Sequence, residues 1–418
     1  MKAALVSVGD EILSGEIVDT NATEISRALT LLGCRVTLRL SVGDDEEGIV
    51  SALESASRKA DLIVVVGGLG PTRDDRTREA VARWLGRPLR RLPELEERIK
   101  RFFEEKGRSY PEEVLRQAEI PEGAEPLENT VGTAPGIRAE KEGKILFCLP
   151  GVPAEMREML KKFVLPEVRK MTGGEAPPYA TLMFCEIGES SIAQRLADIW
   201  PRYPLLRPAF YPRHWEVRLT VRAKEPSEEA RSQLESAISE VRARLGEFIF
   251  AEGEVPLPKV VGDLLKEQRK TLAVAESCTA GLLGKRITDI PGSSDYFWGG
   301  VICYANEAKM KVLGVSEGTL KRYGAVSEQC VREMARGVRE LSGADIAVAI
   351  TGIAGPTGGT PKKPVGLVHF ALSAEDGEWH AVRIFGGDRE SVRMRATTTA
   401  LDMVRRYLLG LPIRERGV

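Results

Sequence analysis

The sequence predicts an α/β protein made of two three-layer α/β domains joined by a small α+β domain. Three observations carry that expectation. Residues 1–172 alternate strand-like and helix-like segments, and the wholly apolar run Leu62–Val66 reads as an inner parallel strand. Residues 254–418 hold two further apolar runs, Thr271–Val274 and Ile346–Ile350, each followed by a glycine-bearing turn. Two stretches rich in Gly, Pro and Glu, Gly173–Pro178 and Glu252–Pro258, read as boundaries. The resulting domains are 1–172, 173–253 and 254–418, and a chain of 418 residues is too long for one ordinary core.

The first domain opens with the strand Ala3–Val8 and the loop Gly9–Asp19. Asp19-Thr20 are good caps for a helix over Asn21–Leu32. Strand Val36–Val42, helix Glu46–Arg58, strand Leu62–Val66 and helix Asp75–Leu85 follow. This βαβαβα order implies right-handed crossovers and helices on both faces. Charged helices over 94–119, a strand Lys144–Leu149 and a helix Ala154–Arg169 complete the domain. The small domain is expected to hold helix Glu189–Ile199, alternating strand Glu216–Ala223, helix Ser227–Leu245 and strand Phe248–Ala251. In the third domain, Leu282–Ile287 continues as a helix after Thr271–Val274, and Gly366–Leu372 reads as a strand.

Composition narrows the function. Sixty basic residues nearly balance 61 acidic ones, which gives no footprint for nucleic acid or an acidic membrane. The six cysteines are scattered without C-x-x-C spacing, as expected of a reduced cytoplasmic compartment. The short apolar start before Gly9-Asp10-Glu11 does not read as a signal peptide, and no run approaches a membrane helix.

Two loops carry candidate chemistry. The first, Gly67-Gly68-Leu69-Gly70-Pro71-Thr72-Arg73-Asp74-Asp75, leaves an inner strand and enters a helix, where open α/β sheets bind ligands. Glycines let backbone approach a phosphate closely, and a helix start favours an anion. Asp74 and Asp75 either cap the helix and complement its dipole or hold a divalent metal between themselves and that phosphate. Asp10, Glu11 and Asp44, at other predicted strand ends, are able to join them. Residues 1–170 contain no histidine, which argues against a histidine-ligated zinc or iron site.

The second loop is Ala275-Glu276-Ser277-Cys278-Thr279-Ala280-Gly281, where a strand turns into a helix. The unpaired amides of the helix start are expected to stabilise an anion there. Ser277 or Thr279 is otherwise simply an N-cap. A nucleophilic serine needs a base. Of the three histidines, His369 and His380 lie in strand-like runs that suit packing or surface roles. The S-x-x-K spacing is absent because Ala280 takes the fourth position, which leaves Lys309 as the best-placed base. Burial disfavours the charged form of a lysine. Cys278 is a rival nucleophile, although a role as a small buried hydrophobe is preferred.

These segments resemble a known family. AESCTAGLL, VICYANEAKMKVLGV, YGAVSE, TGIAGPTGG, KPVGLVHFAL and FGGDRESVR, in that order, are similar to the C-terminal domain of the CinA family. The resemblance implies deamidation of nicotinamide mononucleotide (NMN) to nicotinate mononucleotide and ammonia by a serine–lysine hydrolase that needs no cofactor. It implies Ser277 as nucleophile and Lys309 as base; Tyr304 or Thr351 is expected to assist proton transfer or orientation. Thr279, Gly281, Gly352, Gly355 and Arg389 are then the expected contacts to NMN. Ala280 stands where the family often has a second glycine.

The segments VGDEILSGEIVDTN, GGLGPTRDDRT, NTVGTAPG and LPGVPAEM resemble the N-terminal domain of the same family, related to the molybdopterin-binding MogA-like fold. That domain implies a metal-dependent pyrophosphatase that cleaves ADP-ribose to AMP and ribose 5-phosphate. Asp75 matches the aspartate that follows the glycine loop, and Asp74 replaces the usual arginine before it. Gly67, Gly68, Gly70, Asn21 and Asp44 are the expected substrate contacts. Asp75, Asp74 and Glu11 are the expected ligands of magnesium, manganese or cobalt. IGESSIAQRLADI resembles the family's small KH-like domain. It lacks a GXXG loop and carries more acidic than basic residues, so it is read as a spacer or dimerisation element rather than an RNA binder. The expected protein is a cytoplasmic homodimer whose partners are small nucleotides. The alternatives are molybdopterin binding, or an interaction protein linked to DNA uptake or damage.

Overall fold

A computed structural model describes residues 1–173, 176–213 and 215–416. Gly174 and Glu175 of the first predicted boundary, and His214, lie outside the described residues. The chain falls into two compact units, Met1–Pro177 and Pro178–Val418. Both are α/β, with mixed rather than purely parallel main sheets.

The first unit is a six-stranded sheet in the order Arg35–Val42, Lys2–Val8, Leu62–Val66, Lys144–Leu149, Gly136–Lys141, Glu125–Leu127. The first four strands are parallel, as βα connections require; Gly136–Lys141 pairs antiparallel with Lys144–Leu149, and Glu125–Leu127 antiparallel with Gly136–Lys141. Leu62–Val66 is buried along its whole length because hydrophobic clusters cover both faces. On one face Ala4, Val6, Ile63 and Val65 pack with Ile49, Leu53 and Val81. On the other Leu5, Val64 and Leu149 pack with Ile25, Leu29 and Met156.

In the second unit, residues 179–252 form a four-stranded antiparallel sheet ordered Leu206–Arg213, Glu216–Ala223, Tyr179–Cys185, Ile249–Glu252. Helix Glu228–Leu245 covers it, opened by the Ser227 hydroxyl, which accepts from the Ala230 amide. The five-stranded sheet behind it is ordered Phe297–Ile302, Leu272–Glu276, Ile346–Gly352, Leu367–Ala374, Gly377–Ile384. Its first three strands are parallel; Leu367–Ala374 pairs antiparallel with Ile346–Gly352, and Gly377–Ile384 antiparallel with Leu367–Ala374.

Buried charges join the two sheets of this unit. Glu186 pairs with Arg383 at 2.6 Å and also accepts from the Trp215 indole N–H and the Thr399 hydroxyl. Arg286 reaches Glu216 at 2.8 Å. On the long helix Arg389–Leu408, Asp402 holds Arg405 and Arg406 and accepts from the Cys185 thiol. Among the described residues no helix is long and apolar enough to cross a membrane.

Candidate active sites

In the second unit the carboxyl ends of strands Leu272–Glu276 and Ile346–Gly352 open onto a cavity of about 270 Å³. Its lining includes Ser277, Tyr304, Lys309, Thr351, Gly352, Gly355 and Arg389. Parallel pairing of the two strands brings the Ser277 turn beside the glycine-rich loop that follows Ile350. The amide of Ser277 donates to the Ile350 carbonyl at 3.0 Å, which fixes the start of the turn. Lys309 comes from helix Asn306–Leu313 and is 1% exposed. Its Nζ lies 3.1 Å from Ser277 Oγ, 2.7 Å from the Cys303 carbonyl and 3.1 Å from that of Tyr304. No carboxylate among the described residues pairs with it.

The remaining expected residues divide into those facing the cavity and those supporting it. Arg389 donates to the Gly355 carbonyl at 2.7 Å and to the Tyr304 hydroxyl at 3.2 Å. Tyr304 is 60% exposed, so its ring forms an open rim. Thr351 is fully buried and its hydroxyl donates to the Ala325 carbonyl at 2.8 Å, holding a wall of the cavity. Thr279 and Gly281 do not line the cavity. Thr279 is fully buried, and Gly281 supplies the left-handed φ of 91° that leads into helix Leu282–Thr288.

The expectation that the helix-start amides face a ligand is corrected. The buried carboxylate of Glu276 accepts from the amides of Gly281, Leu283 and Gly284 at 3.0, 3.0 and 2.8 Å. Ser277 and Thr279 do not cap that helix. Sequence reasoning missed Glu276, although an acid ending an apolar strand just before a helix is itself a signal. Cys278 is 5% exposed, and burial pushes its thiol up to about 12, so it stays protonated. His369 and His380 face each other at 3.0 Å, outside the cavity lining.

In the first unit a cleft of about 690 Å³ lies at the carboxyl ends of the parallel strands. Gly67, Gly68, Gly70, Asn21, Asp44, Glu11, Asp74 and Asp75 all line it. Gly67 has φ 104°, and a side chain there would meet the Val8 carbonyl. Thr77 and Arg78 hold the loop's carbonyls at Gly67, Leu69 and Gly70 from the protein side.

Helix Thr77–Leu85 starts two residues later than expected, and neither Asp74 nor Asp75 caps it. Asp75 instead accepts from the Gly70 amide at 2.7 Å and from the Thr72 amide and hydroxyl at 2.8 and 2.6 Å. The Gly70 amide is therefore committed to the protein rather than to a ligand. Asn21 donates to the Gly151 carbonyl at 2.7 Å, and its Oδ1 is buried without a partner. Burial raises the Asp44 carboxyl above its ordinary value, and the charges of Asp10, Glu11 and Asp75 add to the rise. Among the described residues, no three His, Cys, Asp or Glu side chains are gathered as a metal-holding group. Asp75, Asp74 and Glu11 thus do not form a coordination set by themselves.

Three family descriptions match successive parts of the chain: a probable molybdopterin binding domain over residues 4–170, the damage-inducible protein CinA KH domain over 180–251, and the CinA C-terminal domain over 254–408. A competence-damage inducible protein of Symbiobacterium thermophilum is 44% identical over 424 residues, covering 98% of this chain and 99% of its own. The chain belongs to the CinA family. A CinA-like protein of Dictyoglomus thermophilum is 41% identical over 412 residues, covering 98% of this chain and all of its own. A crystal structure of CinA from Thermoplasma acidophilum shares 39% identity over 40% of this chain and 97% of its own, with a TM-score of 0.38.

Proposed function

We propose that this CinA-family chain is a bifunctional hydrolase of pyridine nucleotides: its C-terminal part deamidates NMN, and its N-terminal unit cleaves ADP-ribose. The observation that carries the first half is the buried Lys309 Nζ, 3.1 Å from Ser277 Oγ and bound otherwise only to two carbonyls. A neutral amine has two N–H donors and one lone pair. In the structure Nζ is placed to donate to Ser277 Oγ and to the carbonyls of Cys303 and Tyr304; in the proposed step the amine that acts as base keeps its donors on the two carbonyls and turns its lone pair to the serine hydroxyl.

In the proposed reaction Ser277 Oγ attacks the carboxamide carbon as its proton passes to Lys309. Lys309 returns that proton to the leaving nitrogen, the C–N bond breaks, and ammonia departs. Water then hydrolyses the ester, with Lys309 taking the water proton and restoring it to Ser277. Arg389, oriented by Gly355 and Tyr304, holds the 5′-phosphate at the start of its helix.

For the N-terminal unit, the donor set is carboxylate, which suits magnesium, manganese or cobalt. Magnesium commonly needs only one or two protein carboxylates, with substrate phosphates and water completing its shell. Asp44 and Asp75, with Glu11 and Asp74 lining the same cleft, fit that use. The metal supplies neutralisation of the diphosphate and a more acidic water. Gly67 and Gly68 let the diphosphate approach the backbone, and Asn21 Oδ1 is free to accept from the substrate.

The test is to incubate the full chain with NMN and with ADP-ribose, each with EDTA or with magnesium. Ser277→Ala is expected to abolish ammonia release and spare ADP-ribose cleavage. EDTA is expected to stop only the latter. Deamidation that survives Ser277→Ala, or ADP-ribose cleavage that survives exhaustive EDTA, overturns the corresponding half.

A further inference from the structure

Glu276 is a buried acid that the proposed reaction does not use. It ends the inner strand Leu272–Glu276, is 1% exposed, and precedes the nucleophile directly. Among the described residues it has no cationic partner. Its charge is met instead by the amides of Gly281, Leu283 and Gly284. Its carbonyl also accepts at 2.9 Å from the amide of Cys303, whose own carbonyl, with that of the next residue Tyr304, holds Lys309. One residue is thus bonded to the chain on both sides of the serine–lysine pair.

The amides left over are informative. Between Ser277, whose amide donates to Ile350, and Ala280, whose amide donates to Ser277, the amides of Cys278 and Thr279 donate to no backbone carbonyl among the described residues. Hydrolysis through a tetrahedral intermediate needs donors at the developing oxyanion, and the amide next to the nucleophile is a recurrent one. A carboxylate that takes the helix-start amides fixes which backbone donors stay free, and at what angle.

We infer that Glu276 is a positioning residue: by binding the Gly281, Leu283 and Gly284 amides it holds the Ser277–Thr279 turn so that Ser277 Oγ meets Lys309 and the Cys278 amide faces the oxyanion. This rests on the reading of Ser277 and Lys309 as the reacting pair. It differs from a stabilising role because it requires attack geometry, and not only folding, to depend on the carboxylate. Glu276→Gln is isosteric but turns an NH2 group towards amides that need an acceptor. Glu276→Asp keeps the charge on a shorter stem.

The experiment measures three quantities on the full chain for wild type and both variants: thermal midpoint, KM and kcat for NMN, and the rate at which a fluorophosphonate labels Ser277. Labelling forms an O–P bond and releases fluoride, with the serine proton passing to Lys309, and it needs no nicotinamide substrate. Glu276→Gln is expected to lower kcat and the labelling rate about a hundredfold, the scale of a small misplacement of reacting groups, with KM unchanged. Glu276→Asp is expected to fall between it and wild type. A folded variant of either kind that labels at the wild-type rate overturns the inference. So does a rate loss that appears only with a loss of folded protein at the assay temperature. Labelling of wild type without NMN turnover overturns the substrate assignment alone and leaves the labelling test of Glu276 valid. Wild type that is neither labelled nor active overturns the serine–lysine reading and the inference with it.

Discussion

Replacing Lys309 with methionine tests the reacting pair most directly, because its chemical and structural consequences differ in size. Methionine has a similar length and no proton to exchange. Loss of a general base costs about 10²- to 10⁴-fold in rate, or roughly 3–5.5 kcal/mol of transition-state stabilisation. The structural cost is smaller. Nζ leaves two carbonyls, and Tyr304 is 60% exposed, so water can reach its backbone. Cys303 is fully buried, and its carbonyl loses the 2.7 Å partner, a penalty of about 1–3 kcal/mol. At about 2–4 °C per kcal/mol for a unit of this size, the midpoint falls by several degrees and the protein stays folded at 25 °C. Initial rates of ammonia release from NMN are then expected to fall at least a hundredfold at unchanged KM. Lys309→Arg is expected to be equally inactive, since a guanidinium does not give up its proton. A Lys309→Met enzyme within about tenfold of wild type would place the base elsewhere and refute the reasoning.

Other outcomes follow from the same geometry. Arg389→Ala is expected to raise KM for NMN far more than it lowers kcat, and an unchanged KM in steady-state assays excludes it from phosphate binding. Arg383→Met strands the buried Glu186 carboxylate with only Trp215 and Thr399. It is expected to cost about 3–5 kcal/mol in urea unfolding, most of it recovered when Glu186 is also made apolar; equal loss in both variants contradicts this. Burial pushes the thiols of Cys34 and Cys330 up to about 11 and that of Cys278 up to about 12, from 9.0. Raised folded values mean that stability is intact below about pH 9 and lost as the pH climbs towards them, because the unfolded thiols ionise first. The urea midpoint is therefore expected to fall above pH 9, and Cys278→Ala to retain NMN turnover; a flat profile, or an inactive alanine variant, counts against the buried-thiol assignment.

The inner strands were legible because burial on both faces leaves a bare apolar run, as at Leu62–Val66 and Ile346–Ile350. The antiparallel edge was not. Gly136–Lys141 and Glu125–Leu127 carry Arg, Lys and Glu on their open face, so neither reads as an apolar run. Strand Leu206–Arg213 holds two prolines and pairs only with Glu216–Ala223, an arrangement that edge strands tolerate and sequence patterns count against. Helix Thr77–Leu85 began late because Asp75 turned back to the loop. An aspartate beside a helix start has competing acceptor roles, and only the fold selects among them.

The same ambiguity decided the site. Ser277, Lys309, Thr351, Gly355 and Arg389 were identifiable because each sits at a predicted strand end or helix start, and parallel pairing of Leu272–Glu276 with Ile346–Gly352 gathers such positions at one edge. What the pattern could not assign was the ownership of backbone amides. A strand-to-helix turn offers several N–H groups, and a ligand, a capping side chain or a neighbouring strand can each claim them. Here a protein carboxylate takes the helix-start amides of Gly281, Leu283 and Gly284, a neighbouring strand takes that of Ser277, and those of Cys278 and Thr279 go to no backbone carbonyl among the described residues. The anion-binding capacity of the turn is therefore divided rather than absent. The part turned towards Glu276 shapes the loop, and the part beside Ser277 is left for chemistry. A neutral side chain of the same shape at position 276 disturbs that division without emptying the core, so activity is expected to be lost there before stability is.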